Sequence, residues 1–160
     1  MIKREMSSTL KKVAKEYPVV LVHGPRQSGK TTICRAVFSD KPYVSMENPD
    51  TRSRALEDPR GFLADFPNGV ILDEIQRTPN LLSYMQQIVD EKKQNGFFIL
   101  TGSDNFSLQQ ITSQSLAGRI ALLTLLPFSM KEIKSETWLA GTDKRILYGG
   151  YPRLITETPD

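Results

Sequence analysis

Gly24-Pro25-Arg26-Gln27-Ser28-Gly29-Lys30-Thr31 satisfies every fixed position of the pattern G-x-x-x-x-G-K-[ST], the Walker A or phosphate-binding loop. The pattern needs a strand before it and a helix after it, and both are written in the flanks. Val19-Val20-Leu21-Val22 is a short β-branched run entered through Pro18, a residue tolerated at the start of a strand. Beyond the loop, Thr32 to Phe38 interleaves Ile33, Cys34, Ala36 and Val37 with Arg35 and predicts a helix. The glycines let successive backbone N–H groups converge on a phosphate, and the helix N-terminus adds partial positive charge. Lys30 is expected to reach the β- and γ-phosphates and the Thr31 hydroxyl to hold Mg²⁺, with Gly24 to Thr32 as the nucleotide-binding stretch.

The rest of the chain repeats the alternation of strand and helix. Pro42 to Met46 predicts a second strand, followed by an acidic turn at Glu47-Asn48-Pro49-Asp50 and a polar helix from Thr51 to Glu57. Asp58-Pro59-Arg60-Gly61 is expected to turn into a short helix, Phe62 to Asp65, and Pro67-Asn68-Gly69 signals another turn. A third strand is Val70-Ile71-Leu72, ending in Asp73-Glu74. Pro79 opens a long helix with Leu82, Met85, Ile88 and Val89 on one stripe, and Asn95-Gly96 stops it. Phe97 to Leu100 is a fourth strand that ends in Thr101-Gly102-Ser103, and Ile120 to Leu125 is a fifth. Apolar strands in this alternation imply an α/β domain: a five-stranded, mainly parallel sheet with helices on both faces.

Val70-Ile71-Leu72-Asp73-Glu74 is the second chemical motif, of Walker B type. An apolar strand ending in paired carboxylates, about forty residues after a phosphate loop, places Asp73 at Mg²⁺ and Glu74 where it would polarise water for attack on the γ-phosphate. A strand that merely ends in polar residues is the plainer alternative.

At 160 residues, 39% hydrophobic and 24% charged, the chain has the size and composition of one soluble globular domain. Its longest apolar run, Ile120 to Phe128, is too short to span a bilayer, and Met1 to Met6 does not resemble a signal peptide. A cytoplasmic location with no membrane partner is the expectation. Cys34 is the single cysteine, which excludes a disulfide framework and predicts a buried thiol within the helix. His23, the single histidine, is expected to shape the end of its strand rather than to catalyse.

The net charge of +3 is uneven: residues 1–35 carry eight Lys or Arg against two Glu. Met6, Leu10, Val13 and Tyr17 recur at helical spacing, with Lys3, Arg4, Lys11, Lys12 and Lys15 filling much of the remaining surface. A solvated basic face is the expectation, and a nucleic-acid contact has only this charge in its favour.

Five segments recur in a telling order: Gly24 to Thr32, Leu72-Asp73-Glu74-Ile75-Gln76, Leu100-Thr101-Gly102-Ser103, Ser115-Leu116-Ala117-Gly118-Arg119 and Gly149-Gly150-Tyr151-Pro152. Together they resemble a prokaryotic family of AAA-type ATPases in which the ATPase domain is usually joined to a C-terminal domain of unassigned function. The resemblance runs over nearly the whole chain. It implies that the strand ending at Thr101-Gly102-Ser103 lies between the other two motif strands, with Thr101 or Ser103 as a γ-phosphate sensor. Hydroxyls that only satisfy a turn around Gly102 are the alternative. The resemblance also implies that Arg119 is an arginine finger serving a neighbouring subunit of a homo-oligomer, against the alternative of a solvated or helix-terminal arginine.

On this basis residues 1–17 are expected to form a basic amphipathic helix packed on the core, 18–126 the ATPase core, and 127–160 a C-terminal helical extension. In that extension Ser129 and Glu132 have capping-box spacing, and Trp138 is expected to anchor the last helices. The family would continue beyond Gly149-Gly150-Tyr151-Pro152 into its second domain, so a missing or separate effector is expected. The resulting expectation is an ATPase that binds Mg-ATP and hydrolyses it to drive a conformational switch. A non-catalytic nucleotide-binding module contacting protein or DNA, and a small-molecule phosphotransferase, remain as alternatives.

Overall fold

The computed structural model describes residues 2–103, 115–133 and 149–156. Five strands, β1 (Val19–Gly24), β2 (Tyr43–Ser45), β3 (Val70–Asp73), β4 (Phe98–Ser103) and β5 (Ile120–Thr124), form one sheet in the order β2-β3-β4-β1-β5. Every pairing is parallel, with Val19 opposite both Phe98 and Ile120, and Ser45 opposite Asp73. The strand that carries the phosphate loop is therefore separated from the strand that carries Asp73 by the Thr101-Gly102-Ser103 strand. This matches the expected order.

The strands are apolar on both faces, and alternation assigns each residue to a side. Val20, Val22, Ile71 and Ile99 pack against α1 (Met6–Val13) and α2 (Lys30–Val37) through Leu10, Ala14, Ile33 and Cys34. Val19, Leu21, Val70, Leu72, Phe98 and Leu100 face the other layer. That layer is α3 (Pro49–Glu57), α4 (Pro59–Ala64) and α5 (Leu81–Lys92), which contribute Ala55, Phe62, Leu63, Leu82, Met85 and Val89. In α5 Leu82, Met85 and Val89 of the expected stripe are buried and Ile88 partly so, and Leu81 joins them.

Capping side chains account for most differences at helix ends. Asn48 Oδ1 accepts from the backbone N–H groups of Asp50 (2.9 Å) and Thr51 (3.1 Å), so α3 starts at Pro49 rather than Thr51. Asp58 Oδ1 accepts from Gly61 N at 2.9 Å, so Pro59 is already helical and the anticipated turn is the first turn of α4. The N-terminal helix is shorter than expected. It begins at Met6, after Arg4, and Arg4 is turned into the protein with a side chain only 10% exposed. Placing Arg4 on a solvated basic face is thus corrected.

Ser129 and Glu132 do form the reciprocal bonds of a capping box: Ser129 N donates to Glu132 Oε2 at 2.8 Å and Glu132 N to Ser129 Oγ at 3.3 Å. The helix expected after them, and Trp138, lie outside the described residues. So do residues 134–148 and 157–160 of the C-terminal extension, whose described part includes a short helix, α6 (Pro152–Thr156). Among the described residues no helix is long and apolar enough to cross a membrane.

Candidate nucleotide site

The loop after β1 is built by two passages through the left-handed region, at Gln27 (φ 62°) and Gly29 (φ 92°). Gly24, at φ 145°, has no room for a side chain, because a Cβ there would drive into the carbonyl oxygen of Leu125. The first N–H groups of α2 have no partner within their helix and carry its positive end. Lys30 is buried, and its Nζ donates to the carbonyls of Gly24 (3.0 Å) and Pro25 (2.7 Å), holding the ammonium across the loop. His23, the residue before the last of β1, is buried and paired through Nε2 with Thr124 Oγ1 at 3.0 Å.

Asp73 closes the site from β3. Its Oδ1 accepts from Thr31 Oγ1 at 2.8 Å and from Thr101 Oγ1, and its Oδ2 accepts from Tyr43 OH at 2.9 Å. Burial, the hydrogen bond to Asp73 and the Asp73 charge raise the Tyr43 pKa to about 12, against smaller opposing effects of Ser45 and Arg35. Tyr43 therefore stays a donor. Burial first, and then the Asp73 charge, push the Cys34 thiol up to about 12, so it is an inert core residue.

Glu74 follows in the left-handed conformation (φ 56°, ψ 47°), which is uncommon for a residue with a side chain. Its N–H donates to Thr101 Oγ1 at 3.2 Å, so Thr101 contacts both carboxylate residues of the motif. The Glu74 carboxylate accepts from Gln76 Nε2, which also donates to Ser103 Oγ at 3.0 Å. Both sensor candidates thus meet the Asp73-Glu74 motif, Thr101 directly and Ser103 through Gln76.

Arg26, Gln27, Lys30, Thr31 and Glu74 share a cavity of about 610 Å³ with Arg77, Pro152 and Arg153. Tyr43, Gln76, Arg77 and Arg153 were not picked out from the sequence. Gln76 is signalled by its place in the Leu72-Asp73-Glu74-Ile75-Gln76 segment, whereas Tyr43 needs the β2–β3 register and Arg153 needs the fold of the C-terminal segment. That segment is fastened by Phe128 N donating to Gly150 O at 2.6 Å. A second cavity, about 380 Å³, adjoins the first and shares Gly29, Thr32 and Pro152 with it. Its walls include Ile2, Ile33, Ala36, Val37 and Phe128.

Arg119 is not part of this cluster. Its carbonyl accepts from Val19 N, at the start of β1, whereas the loop leaves the other end of that strand. At about 3.3 Å per residue, roughly 17 Å of β1 separates them. The guanidinium donates to Asp90 on α5 through Nε (2.6 Å) and Nη2 (2.9 Å), and to Ala117 O at 3.0 Å. The Asp90 hydrogen bond raises the Arg119 pKa, and its partner's pKa is lowered by the same bond. Gly118 has φ 73°, the conformation of a helix-ending glycine.

The donor set at Thr31 and Asp73 fits Mg²⁺. A hydroxyl and a carboxylate, hydrogen-bonded at 2.8 Å beside the loop, are the one or two hard oxygen ligands that Mg²⁺ takes from a protein when substrate phosphates and water supply the rest. Among the described residues no cluster of three or more His, Cys, Asp or Glu side chains offers an all-protein metal cage.

A family model described as an AAA domain matches residues 16–134. Two mycobacterial relatives, uncharacterized protein Mb2031c of Mycobacterium bovis and uncharacterized protein Rv2008c of Mycobacterium tuberculosis, are each 33% identical over 156 residues. The match covers 96% of this chain and 34% of each relative, so the chain spans about a third of their length. Among solved structures, AMPPCP-bound DnaA from Aquifex aeolicus superposes with a TM-score of 0.64 at 16% identity, over 98% of this chain and 61% of that one. The Walker-type ATPase paby2304 of Pyrococcus abyssi gives 0.62 at 18% identity, over 97% and 66%. At such identities the two superpositions speak for the fold alone. With its five-stranded parallel sheet, its phosphate loop and a family match over residues 16–134, the chain belongs to the AAA domain family of P-loop ATPases.

Proposed function

We propose that this domain binds Mg-ATP and hydrolyses it to ADP and phosphate, using the change in occupancy to drive a conformational switch. The observation that carries the reading is the Asp73 carboxylate bonded to both Thr31 and Thr101, with Glu74 beside it on the same cavity. Lys30 Nζ exchanges the carbonyls of Gly24 and Pro25 for phosphate oxygens. Thr31 and Asp73 would hold Mg²⁺, which would offset the negative charge of the phosphates. Glu74 orients a water molecule for in-line attack and accepts its proton, while Thr101 and Ser103 report the state of the γ-phosphate. The adjoining cavity, walled by Ile33, Ala36 and Phe128, takes the base. Arg119 lies too far from its own loop to act there and is paired with Asp90, so any part it takes in hydrolysis is at a neighbouring subunit's site.

The bond from Gln76 to the Glu74 carboxylate supports a second reading, a domain that binds nucleotide and turns it over only when a partner frees Glu74. Calorimetric titration with Mg-ATP, followed by chromatography of the products, tests both. The first reading expects binding that Lys30→Ala abolishes, with ADP and phosphate formed in equal amounts. Binding without products supports the second, and no binding contradicts both.

A further inference from the structure

We infer that Arg4 is a positioning residue for the bound nucleotide: it ties the phosphate loop to the segment that brings Pro152 and Arg153 to the cavity. The inference rests on the nucleotide reading above and assigns a function to a residue outside the loop and outside the Asp73-Glu74 motif.

One guanidinium meets two segments that are distant in sequence from it and from each other, the phosphate loop and residues 126–132. Arg4 Nη1 donates to the carbonyl of Ser28, inside the loop, at 2.8 Å. Nη2 donates to Leu126 O at 2.6 Å, just past β5, and Nε to Glu132 Oε1 at 3.0 Å. The same group stacks over the Phe128 ring, 4.5 Å from its centroid. The Arg4 and Glu132 side chains are 10% and 5% exposed, so this is a packed joint rather than a surface pair.

Glu132 is fixed as firmly. Its Oε1 also accepts from Glu5 N and its Oε2 from Ser129 N, both at 2.8 Å. From this joint the connection continues to the cavity. Phe128 N bonds to Gly150 O, two residues before Pro152, which lines both cavities. At Gly29 the two halves converge, since a Cβ there would stand 3.6 Å from Arg4 Nη1 and 3.6 Å from Pro152 Cγ.

The physical consequence follows from the fork geometry of the side chain. A planar guanidinium sets three acceptors at fixed mutual positions, which an ammonium cannot do. Orienting the Ser28 carbonyl orients the peptide that carries the Gly29 N–H, one of the loop's donors. A shift of about 1 Å in such a donor suffices for large losses in a phosphate site. A salt bridge that only stabilised the fold would have no such link to affinity.

The test uses a fluorescent N-methylanthraniloyl ATP with Mg²⁺ and the full chain, measuring Kd together with the melting temperature in the absence of nucleotide. Arg4→Ala is expected to weaken binding about tenfold or more. Arg4→Lys is expected to stay close to Arg4→Ala. Glu132→Gln leaves both carbonyl bonds of Arg4 in place, so it should lower the melting temperature while keeping Kd within about twofold to threefold of the wild type. If Arg4→Ala does not fold, Arg4→Lys decides, and a wild-type Kd in a folded Arg4→Lys protein overturns the inference. So does an Arg4→Ala protein that melts lower but binds normally. Failure of the wild-type chain to bind at all would instead sink the nucleotide reading, and the inference with it.

Discussion

Thr31 Oγ1 donates to Asp73 Oδ1 at 2.8 Å, joining the first turn of α2 to the end of β3 across 42 positions of sequence. The bond brings the two chemical motifs of the chain into one site. Asp73 is held from its other oxygen by Tyr43, so the carboxylate has a fixed orientation. Partners of this kind typically change metal affinity by about ten- to a hundredfold when lost. Tyr43→Phe should therefore raise the Mg²⁺ concentration needed for half-maximal ATP binding by about tenfold. ATP affinity in excess EDTA should stay unchanged. An unshifted Mg²⁺ titration would show that Tyr43 only packs.

The placement of α1 against the sheet makes a stability prediction. Leu10 is fully buried among Val20, Val22, Ile33 and Cys34. Leu10→Ala should cost about 2–5 kcal/mol in urea denaturation, the range for a cavity left in a packed core. A cost near zero would mean that α1 is not part of the cooperative fold.

Much of this site was legible because its spacing is dictated by chemistry. A phosphate loop allows few sequences, and an apolar strand ending in Asp73-Glu74 has few uses after one. The strand order followed from the family resemblance and matched. The remaining site residues depend on chain segments meeting at a distance. Tyr43 reaches Asp73 because Ser45 pairs with Asp73 in register, which no local pattern states. Arg4 looked like one more cation beside Lys3, and only the arrival of Glu132 and Leu126 makes its burial favourable. The starts of α3 and α4 were misplaced by two and three residues because Asn48 and Asp58 act through side-chain caps in what otherwise resemble turns.

Acid should loosen the joint at Glu132. Burial works against its charge, but the N–H groups of Ser129 and Glu5 and the Arg4 guanidinium outweigh that and hold its pKa below the usual value. A carboxylate whose pKa is depressed on folding adds stability above its unfolded pKa and loses it as pH falls through the folded one. The stability gap between wild type and Glu132→Gln should thus be full above about pH 5, shrink below the unfolded value of about 4.3, and vanish at lower pH. Urea midpoints across that range measure it. A gap that persists below the folded pKa would assign the difference to packing.

Arg119 and Asp90 make a pair whose two members should behave differently. If Arg119 serves a neighbouring subunit, specific ATPase activity should rise with protein concentration in the wild type. Arg119→Ala should lose that rise, whereas Asp90→Ala, which frees the guanidinium, should keep it. Equal behaviour of the two variants would leave Arg119 as the structural partner of Asp90.

The most direct test is phosphate release from Mg-ATP over a range of protein concentrations, comparing wild type with Glu74→Gln while confirming by titration that both bind ATP. The account predicts turnover in the wild type and a loss of about a hundredfold or more in Glu74→Gln at undiminished affinity, as expected when a group acts mainly in the transition state. Equal release by the two proteins, or none from a wild type that binds ATP, would contradict hydrolysis at this site.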